Sequence, residues 1–365
     1  MPKIIVIDWC PPQVCILEAE KSAGRIQVQR LTSLGSPGPE ESADSHTTLN
    51  ALSQALLGSA KDATRVVGLV GRSLAVIRPL RVANCPAEEL PGIVRFQAMR
   101  ELAVPVEQVA IDFEVTGSPD DDGTQRVLLA TLPQDVVARY RAEVAAARLD
   151  LTRLGLRPYA AWRAYTRACG APSGPVLIVS LVGQMLELTV GRGDRVLFSH
   201  ATLLRGAFHN GGTAFDPSTA LVGEVRRAFA SVASQIADNP VERIAFAACA
   251  GEHEQAITTL TASFSVPVDR FDPFQSVELS PGLHATASGP STRSAAFVAA
   301  VGAALSADEP WPIDFLNPKK PVVQRNRRRP LVLLAAAATV LVAAAGYVAV
   351  HQQLAAGIRE IVRLT

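Results

Sequence analysis

Two stretches of this 365-residue chain follow the same plan, and this repetition constrains the fold more than any other feature of the sequence. The first, from Ile4, is IIVIDWCPPQVCILEAEKSAGRIQV, and the second, from Val176, is VLIVSLVGQMLELTVGRGDRVLFS. Each begins with a run of large apolar residues, continues through a short loop into a second strand, and reaches a third strand after a glycine turn. Asp8 aligns with Ser180, 172 residues later. A unit duplicated at this distance predicts two similar lobes that face a cleft.

The segment between the two stretches differs in character. Residues 88–103 (EELPGIVRFQAMRELA) predict a helix whose inner face carries Ile93, Val94, Phe96, Met99 and Leu102. Strand and helix patterns then alternate. They predict strands over Val109–Val115, Gln125–Leu132 and Ile244–Ala248, and helices over Pro133–Arg148, Ala220–Ile236, Glu252–Phe264 and Ala295–Leu305.

Residues 331–350 (LVLLAAAATVLVAAAGYVAV) contain no charged side chain. A helix rises about 1.5 Å per residue, so a segment of this length would cross the roughly 30 Å hydrocarbon core of a bilayer. The alternative is a buried alanine-rich helix of a soluble core, which is disfavoured because such helices rarely lack a polar face over so many turns. The sequence therefore predicts one transmembrane helix.

Charge is distributed unevenly along the chain, although the formal net charge is only +1. Residues from Lys319 onward hold eight basic side chains and one acid, whereas residues 1–318 hold 27 basic and 33 acidic side chains. The basic run Arg325-Asn326-Arg327-Arg328-Arg329 directly precedes the uncharged stretch. By the positive-inside rule, the residues before this stretch lie in the cytoplasm and residues 351–365 lie outside. The near-zero balance gives no electrostatic basis for a nucleic-acid partner.

Familiar catalytic and metal-binding motifs are missing from the sequence. It contains neither the P-loop pattern GxxxxGK[ST] nor the zinc-protease pattern HExxH, and its six histidines show no ligand spacing. Its five cysteines are odd in number and form no CxxC pair, as is typical of a protein in a reducing cytosol. No resident metal is predicted.

Several further segments, taken in their order and spacing, carry a resemblance to a known family. They are VVGLVGRSLAVIRPLRV, EELPGIVRFQAMRELAVPVEQVAIDFEV, RVLLATLPQDVVARYRAEVAAARLDLTRLGLRPYAAWRAY, LVGEVRRAFASVASQIADNPVERIAFAACAGE, SVPVDRFDPF and AAFVAAVGAAL. Over nearly all of residues 3–306 the chain resembles the PilM family of actin-like ATPases, cytoplasmic components of type IV pilus assembly. The resemblance implies an α/β, actin-like (ribonuclease H-like) fold with two duplicated lobes and an inserted α+β subdomain, here followed by one C-terminal transmembrane helix.

The resemblance also divides the chain into parts. They are residues 1–84 (first part of lobe I), 85–155 (inserted subdomain), 156–173 (return to lobe I and hinge), 174–306 (lobe II with its closing helix), 307–330 (docking segment and basic linker), 331–350 (transmembrane helix) and 351–365 (external tail).

In actin-like proteins two facing β-turns that contain aspartates hold the phosphates and Mg²⁺, and a glycine-rich loop admits the adenosine. The matching positions here are Asp8 in the first turn, Ser180 and Gly183 at the second, and Gly251 in the loop Ala248-Cys249-Ala250-Gly251. Pro11 and Pro12 remove N–H donors after Asp8, Ser180 offers a hydroxyl in place of a carboxylate, and the loop keeps one glycine. The resemblance therefore implies a degenerate site that binds ATP and Mg²⁺ weakly or not at all, with no catalytic residue.

The segment Ile313-Asp314-Phe315-Leu316-Asn317, flanked by Pro312 and Pro318, resembles the start of PilN, the pilus protein whose short cytoplasmic tail docks on PilM. In PilN such a segment also precedes a basic run and one membrane helix, so the chain resembles a PilM–PilN fusion. We expect this segment to lie as an extended peptide in a groove of its own domain or of a neighbouring copy. PilN continues into a periplasmic domain, so either that domain is absent here or the sequence is a fragment.

The sequence thus predicts a membrane-anchored, actin-like scaffold, not an enzyme, in the inner-membrane platform that assembles type IV pili. The implied partners are PilN-like and PilO-like proteins, the platform protein and the assembly ATPase, with self-association as an open alternative. Three other functions stay open. They are a component of a type II secretion platform similar to GspL, an active membrane-tethered ATPase in which Glu187 or Glu224 replaces Ser180, and an anchor for cell-division filaments. The last is disfavoured because such anchors usually use a terminal amphipathic helix.

Overall fold

A computed structural model describes most of the chain. It covers residues 3–11, 13–22, 24–35, 52, 54–56, 64–117, 122–204, 218–235, 240–281, 283, 293–321 and 337–354. Residues up to Lys320 form one compact unit, and residues from Pro321 onward form a second.

Lobe I is built on a mixed sheet. Its strands are β1 (Lys3–Cys10), β2 (Gln13–Ser22), β3 (Arg25–Gly35), β4 (Thr64–Val70), β8 (Leu151–Leu156) and β14 (Glu278–Leu279). They are ordered β14-β3-β2-β1-β4-β8, with an antiparallel meander over β1, β2 and β3 and parallel pairing of β4 and β8. β1 is buried along nearly its whole length, as its apolar run predicts.

Lobe II repeats this arrangement. Its strands are β9 (Val176–Val182), β10 (Met185–Arg192), β11 (Arg195–Leu203), β12 (Arg243–Ala247) and β13 (Val268–Phe271), ordered β11-β10-β9-β12-β13. Again three antiparallel strands are followed by two parallel ones. Asp8 pairs with Cys15 and Ser180 pairs with Glu187, so both positions of the first hairpin have a counterpart 172 residues later. The duplication inferred from the sequence is therefore present in the register of the strands.

A third sheet forms the inserted subdomain. Its elements are β5 (Val76–Ala83), α1 (Leu90–Glu101), β6 (Val109–Val115), β7 (Thr124–Pro133) and α2 (Gln134–Ala146), with strand order β5-β7-β6. The structure shifts both sequence-based boundaries of residues 85–155. β5 precedes residue 85 but pairs with β7, whereas β8 pairs with β4 of lobe I. An apolar run predicts a strand, but it does not identify the neighbouring strand.

The predicted inner face of α1 is wrong in part. α1 buries Leu90, Val94 and Ala98, whereas Phe96 and Met99 are 62% and 58% exposed. The buried positions recur every four residues, and Phe96 lies about 200° around the helix from Val94. The small Ala98 therefore faces the sheet, and the two larger side chains face outward.

Two helices rich in small residues cross at the centre of the first unit. Outside the insertion this unit contains the helices α3 (Arg157–Cys169), α4 (Ser218–Gln235), α5 (Glu254–Ser263) and α6 (Val298–Leu305), and residues 52 and 54–56 are helical as well. α3 packs on α6 and contacts strands of both lobes. A Cβ atom on Gly302 of α6 would lie 1.8 Å from the carbonyl oxygen of Ala160 of α3, so the close crossing requires glycine there.

The second unit contains helix α7 (Ala337–Leu354), which by length and composition is able to cross a membrane. Its apolar side chains, including Val340, Leu341 and Val342, are all exposed. The predicted span began at Leu331, and residues 331–336 lie outside the described residues.

Candidate functional site

A buried guanidinium joins the two lobes at the predicted phosphate site. Arg157, the first residue of α3, donates from Nη1 to Asp8 Oδ2 of β1 and from Nε to Glu187 Oε2 of β10, the latter at 2.9 Å. All three side chains are buried, and we refer to Asp8, Arg157 and Glu187 as the buried triad. The triad ties the first strand hairpin of lobe I to its counterpart in lobe II.

Glu187 also holds a second part of lobe I. Its Oε1 accepts a hydrogen bond from the backbone N–H of Arg72 at 3.1 Å, in the short 3₁₀ helix Arg72–Leu74 between β4 and β5. The Arg72 side chain then donates from Nε to Ser199 Oγ of β11 at 3.0 Å. Both carboxylate oxygens of Glu187 are therefore engaged by lobe I.

The charges of the triad do not cancel, since two carboxylates share one guanidinium. Burial raises the pKa of Asp8 to about 6, although Arg157 opposes the shift. Burial would lower the pKa of Arg157, but Asp8 and Glu187 outweigh it and hold that pKa well above its usual value. Arg157 therefore stays charged, and the pKa of Asp8 lies near the neutral range.

The Ser180 side chain lies beside the triad. It is buried and pairs across the strands with Glu187, so the two side chains share one face of the sheet. Ser180 Oγ, Asp8 Oδ1 and Arg157 Nη2 are buried atoms that find no partner in the described part of the chain. The lobe II carboxylate is therefore Glu187 on β10, the counterpart of Cys15. The sequence comparison placed it on β9 instead, at position 180.

The two predicted turns meet through apolar side chains. Cys10, at the end of β1, packs with Val182 and Met185, which flank the turn between β9 and β10. Gly183 occupies this turn with a left-handed φ of 60° and is exposed. Pro11 lies in the first turn, and Pro12 is outside the described residues.

The predicted adenosine loop is held closed by a side chain that the sequence did not single out as part of the site. Gly251 has a φ of 83°, and the next residue, Glu252, accepts from the backbone N–H groups of Cys249 at 2.8 Å and Ala295 at 2.9 Å through Oε2. Burial tends to raise the pKa of Glu252, but these donors hold it below its usual value. Ala296 packs partly against the Cys10 cluster, so this loop borders the same cleft.

The docking segment lies against its own domain. We call residues 311–319 the strap. Ile313 and Phe315 are buried in the main core, and the backbone N–H of Phe315 donates to the carbonyl oxygen of Leu154 in β8 at 2.8 Å. Asp314 Oδ1 accepts from the backbone N–H of Leu154 at 3.1 Å. The strap therefore follows the free edge of the lobe I sheet.

The ends of the strap are fixed as well. The Trp311 ring covers Gly155, where a Cβ atom would lie 2.1 Å from it, and Trp311 Nε1 donates to the carbonyl oxygen of Ser306 at 2.9 Å. Asp112 of β6 accepts from the backbone N–H of Asp314 at 2.8 Å and from Lys319 Nζ at 3.1 Å. The strap thus connects lobe I with the inserted subdomain immediately before the second unit begins. Leu316 packs partly against the core, and Asn317 Nδ2 donates to Asp314 Oδ2 at 3.0 Å.

Comparison with known proteins identifies the fold. No protein-family model matches the chain. The chain is similar to the solved structure of a PilM-PilN type IV pilus biogenesis complex, with 20% identity, a TM-score of 0.69, and coverage of 84% of this chain and 99% of that chain. The cytoplasmic domain of EpsL, an inner membrane component of the type II secretion system of Vibrio cholerae, matches with 12% identity, a TM-score of 0.48, and coverage of 87% and 98%.

A protein of unknown function with an actin-like ATPase fold, from Bacteroides thetaiotaomicron, matches at 8% identity and a TM-score of 0.44 over 73% of this chain and 90% of that chain. At such identities the likeness concerns the fold. The chain has an actin-like α/β fold of two lobes with the same strand order, carrying an inserted α+β sheet and followed by one apolar helix. The predicted fold class is confirmed.

Proposed function

We propose that this chain is a membrane-anchored, actin-like scaffold of an inner-membrane platform of the type IV pilus kind, and that it works without nucleotide turnover. The strap carries this proposal. A segment that resembles the docking tail of PilN lies in a groove of its own chain, with Ile313 and Phe315 buried and Asp314 bound to the edge of β8. A partner segment fixed in this way would couple the domain to the helix that follows.

A solved structure with the same fold supports a role in pilus assembly, because it is a PilM-PilN type IV pilus biogenesis complex. In the present chain the corresponding contact would be intramolecular. A covalent link raises the effective concentration of the contact and makes docking nearly permanent.

The residues of the cleft do not fit Mg²⁺ and ATP. Magnesium requires oxygen ligands that are free to coordinate it, whereas three of the four carboxylate oxygens of Asp8 and Glu187 accept hydrogen bonds from Arg157 and Arg72. Among the described residues only Asp8 Oδ1 of the four has no partner, and one such oxygen is too few to hold the ion. Expelling Arg157 would move a buried charge away from its two counter-charges. Packing of Cys10 on Val182 and Met185 further fills the space between the turns. These contacts support a cleft closed by the protein's own side chains.

Calorimetric titration of the purified full chain in detergent with Mg-ATP tests the absence of nucleotide binding. We expect neither saturable heat nor a thermal shift at millimolar nucleotide. Saturable binding that disappears in Asp8→Asn would contradict this part of the proposal and leave the scaffold part standing.

The active ATPase remains a second candidate because one observation favours it. Glu187 faces Ser180 across the strands and provides a lobe II carboxylate, while Ser180 Oγ has no partner among the described residues. Glu224, the other residue considered for this role, is bound to Arg227 on α4 instead. Mg²⁺-dependent hydrolysis lost in both Asp8→Asn and Glu187→Gln would establish this candidate.

The choice between a pilus platform and a secretion platform is tested by the partners. We expect a PilO-like protein, a platform protein and an assembly ATPase of a pilus system to co-purify with the full chain from membranes. Recovery of type II secretion components in their place would assign the chain to the GspL-like alternative.

A further inference from the structure

The outer face of α1 presents apolar side chains to solvent. Phe96 and Met99 are 62% and 58% exposed, although the opposite face of the helix is packed on the subdomain sheet. At about 100° per residue, Met99 and Arg100 lie within about 60° of Phe96 around the helix, whereas Ile93, at a similar angle on the other flank, packs partly against the subdomain core. Aromatic, methionine and arginine side chains are enriched in protein interfaces, so this combination points to a contact surface.

The layering of the subdomain leaves this face uncovered by lobe I. One face of the sheet β5-β7-β6 packs under α1 through Leu80, Phe113 and Leu129. The other face packs into the main core through Ala110 and Leu132. Since the sheet lies between α1 and the rest of the molecule, α1 is the outermost layer and its exposed face points away from the lobes.

Charges along α1 are separated in a way that suits one particular occupant. Glu88 and Glu89 are exposed at its start, and Arg100 is exposed at its end. Glu89, the N-terminal cap, still has helical backbone angles and so lies about 20° from Phe96 around the axis. About 16 Å separates Glu89 from Arg100 along one helix, so the two cannot pair within a chain. Both remain without an ion pair to the described residues.

We propose that the outer face of α1 binds the same face of a second copy of this chain, with the two helices antiparallel around a two-fold axis at Phe96. This arrangement stacks Phe96 on its equivalent, with the Met99 side chains of both copies on the same flank of the pair. Glu89 lies about 10.5 Å and Arg100 about 6 Å from the two-fold axis along the helix, so Glu89 and Arg100 of the second copy are offset by about 4.5 Å. These long side chains can span that offset, and the symmetry forms this pair twice. The face is therefore self-complementary in charge, with Phe96 at its centre.

The contact is small. A single helix pair buries less than the roughly 1,200 Å² that is common in stable complexes, so the dimer is weak in dilute solution. Anchoring of two copies in one membrane would raise their effective concentration. The geometry requires only this chain, and it holds whether or not the cleft binds nucleotide.

A charge exchange tests the proposal most sharply. Dimer fraction is measured by sedimentation velocity on the full chain in detergent over a concentration series. We expect Glu89→Arg and Arg100→Glu each to weaken association about tenfold, because each places like charges opposite at both ends. The double variant Glu89→Arg/Arg100→Glu recreates both pairs with reversed sign and restores association to within about threefold of the wild type.

Two further variants separate association from folding. Phe96→Ser removes the central contact, and because Phe96 is exposed, the monomer should keep the melting temperature of the wild type. In a background of Cys85→Ser and Cys169→Ser, Phe96→Cys should give a cross-linked dimer with a short bis-maleimide, whereas Glu101→Cys, on another side of α1, should not.

Three results overturn the proposal. They are a wild-type chain that stays monomeric at every concentration, a dimer insensitive to both single charge reversals, and a double variant that does not recover. Insensitivity to the reversals would assign the association to another surface, such as α7.

Discussion

At the scale of single residues, the buried triad holds three charged side chains away from water. A buried ion pair is strongly destabilised when one partner is removed, because the remaining charge has lost both water and its counter-charge. Arg157 has two such partners, each from a different lobe. Its side chain therefore holds together elements that are distant in sequence.

Replacing Arg157 should cost more than replacing any surface arginine. We expect Arg157→Met to lower the free energy of unfolding by about 3–5 kcal/mol, because Asp8 and Glu187 remain buried without the guanidinium. Arg163→Met on the same helix is the control, since its contact to Glu309 at 4.0 Å is partly exposed, and it should cost less than about 1 kcal/mol. Similar losses for the two variants in chemical denaturation would contradict this account.

The stability contributed by Asp8 should depend on pH. Its folded pKa of about 6 lies above its ordinary value of 3.8, so its contribution is complete below that ordinary value and is lost as the pH rises through about 6. Asp8→Asn cannot titrate. The free energy of unfolding of Asp8→Asn, relative to wild type, should therefore rise by about 2 kcal/mol between about pH 4 and about pH 6.5.

A flat or falling difference for Asp8→Asn would show that Arg157 holds Asp8 ionised throughout.

The sequence identified only part of this site. Asp8 and Ser180 follow from the duplicated hairpins, and Glu187 was considered as a substitute carboxylate. Arg157 could not be identified, because a residue between a strand and a proline at a helix start is usually solvated. Its role arises only where three elements meet, and nothing local in the sequence signals that contact.

At the scale of elements, the crossing of α3 and α6 depends on a single hydrogen atom in place of a methyl group. Gly302→Ala should lower the free energy of unfolding by about 3 kcal/mol, because the new Cβ would overlap the Ala160 carbonyl oxygen. Gly223→Ala in α4 is the matched control. A Cβ there has open space, so this variant should gain about 0.5–1 kcal/mol. Thermal or chemical unfolding of both variants compares the two sites, and equal effects would argue against the tight crossing.

The strap should protect the chain from cleavage after Lys319. An endoprotease specific for lysine should cut the Lys319–Lys320 bond slowly in the wild type, because Asp112 binds both Nζ and the backbone N–H of Lys319. Phe315→Glu and Leu316→Glu should accelerate this cleavage severalfold by charging the docked segment. Asp112→Ala should also accelerate cleavage, because it removes the acceptor of Lys319 and of the Asp314 N–H, and Leu203→Glu, at an exposed leucine, should not. An unchanged cleavage rate in all variants would disprove the docking.

The sequence largely predicts which helices and strands are present, but it does not predict which elements they pack against. Uniform apolar runs locate β1 and β9, and helical periodicity locates α2 and α4 within a few residues. For α1 the larger apolar residues suggested the wrong side, because Ala98 and not Phe96 packs on the sheet. When large apolar side chains such as Phe96 remain exposed, helical periodicity alone assigns the buried face to the wrong side of the helix.

At the scale of the whole molecule, the exposed apolar side chains of α7 need an apolar environment. We expect the full chain to stay with membranes after alkaline carbonate extraction, since burying these side chains in lipid removes them from water. A chain ending at Lys320, which retains the complete first compact unit, should appear in the soluble fraction. Release of the full chain by carbonate would contradict the anchoring.

The two-lobe arrangement could be predicted from the sequence because a duplicated unit determines the arrangement of whole lobes. Two hairpins with one offset predict two lobes, and the same strand order in both sheets is what a repeated unit requires. The limits of the inserted subdomain could not be read in this way, since β5 and β8 have similar patterns but join different sheets.

The strap has a consequence for the composition of an assembly. When a docking peptide and its receptor are separate proteins, their ratio depends on how much of each the cell makes, and unpaired receptors compete with paired ones. Under the function proposed above, each domain carries its own docking peptide, residues 311–319, which contacts β8 and Asp112. The ratio is one to one in every copy, and it is established as soon as the chain folds.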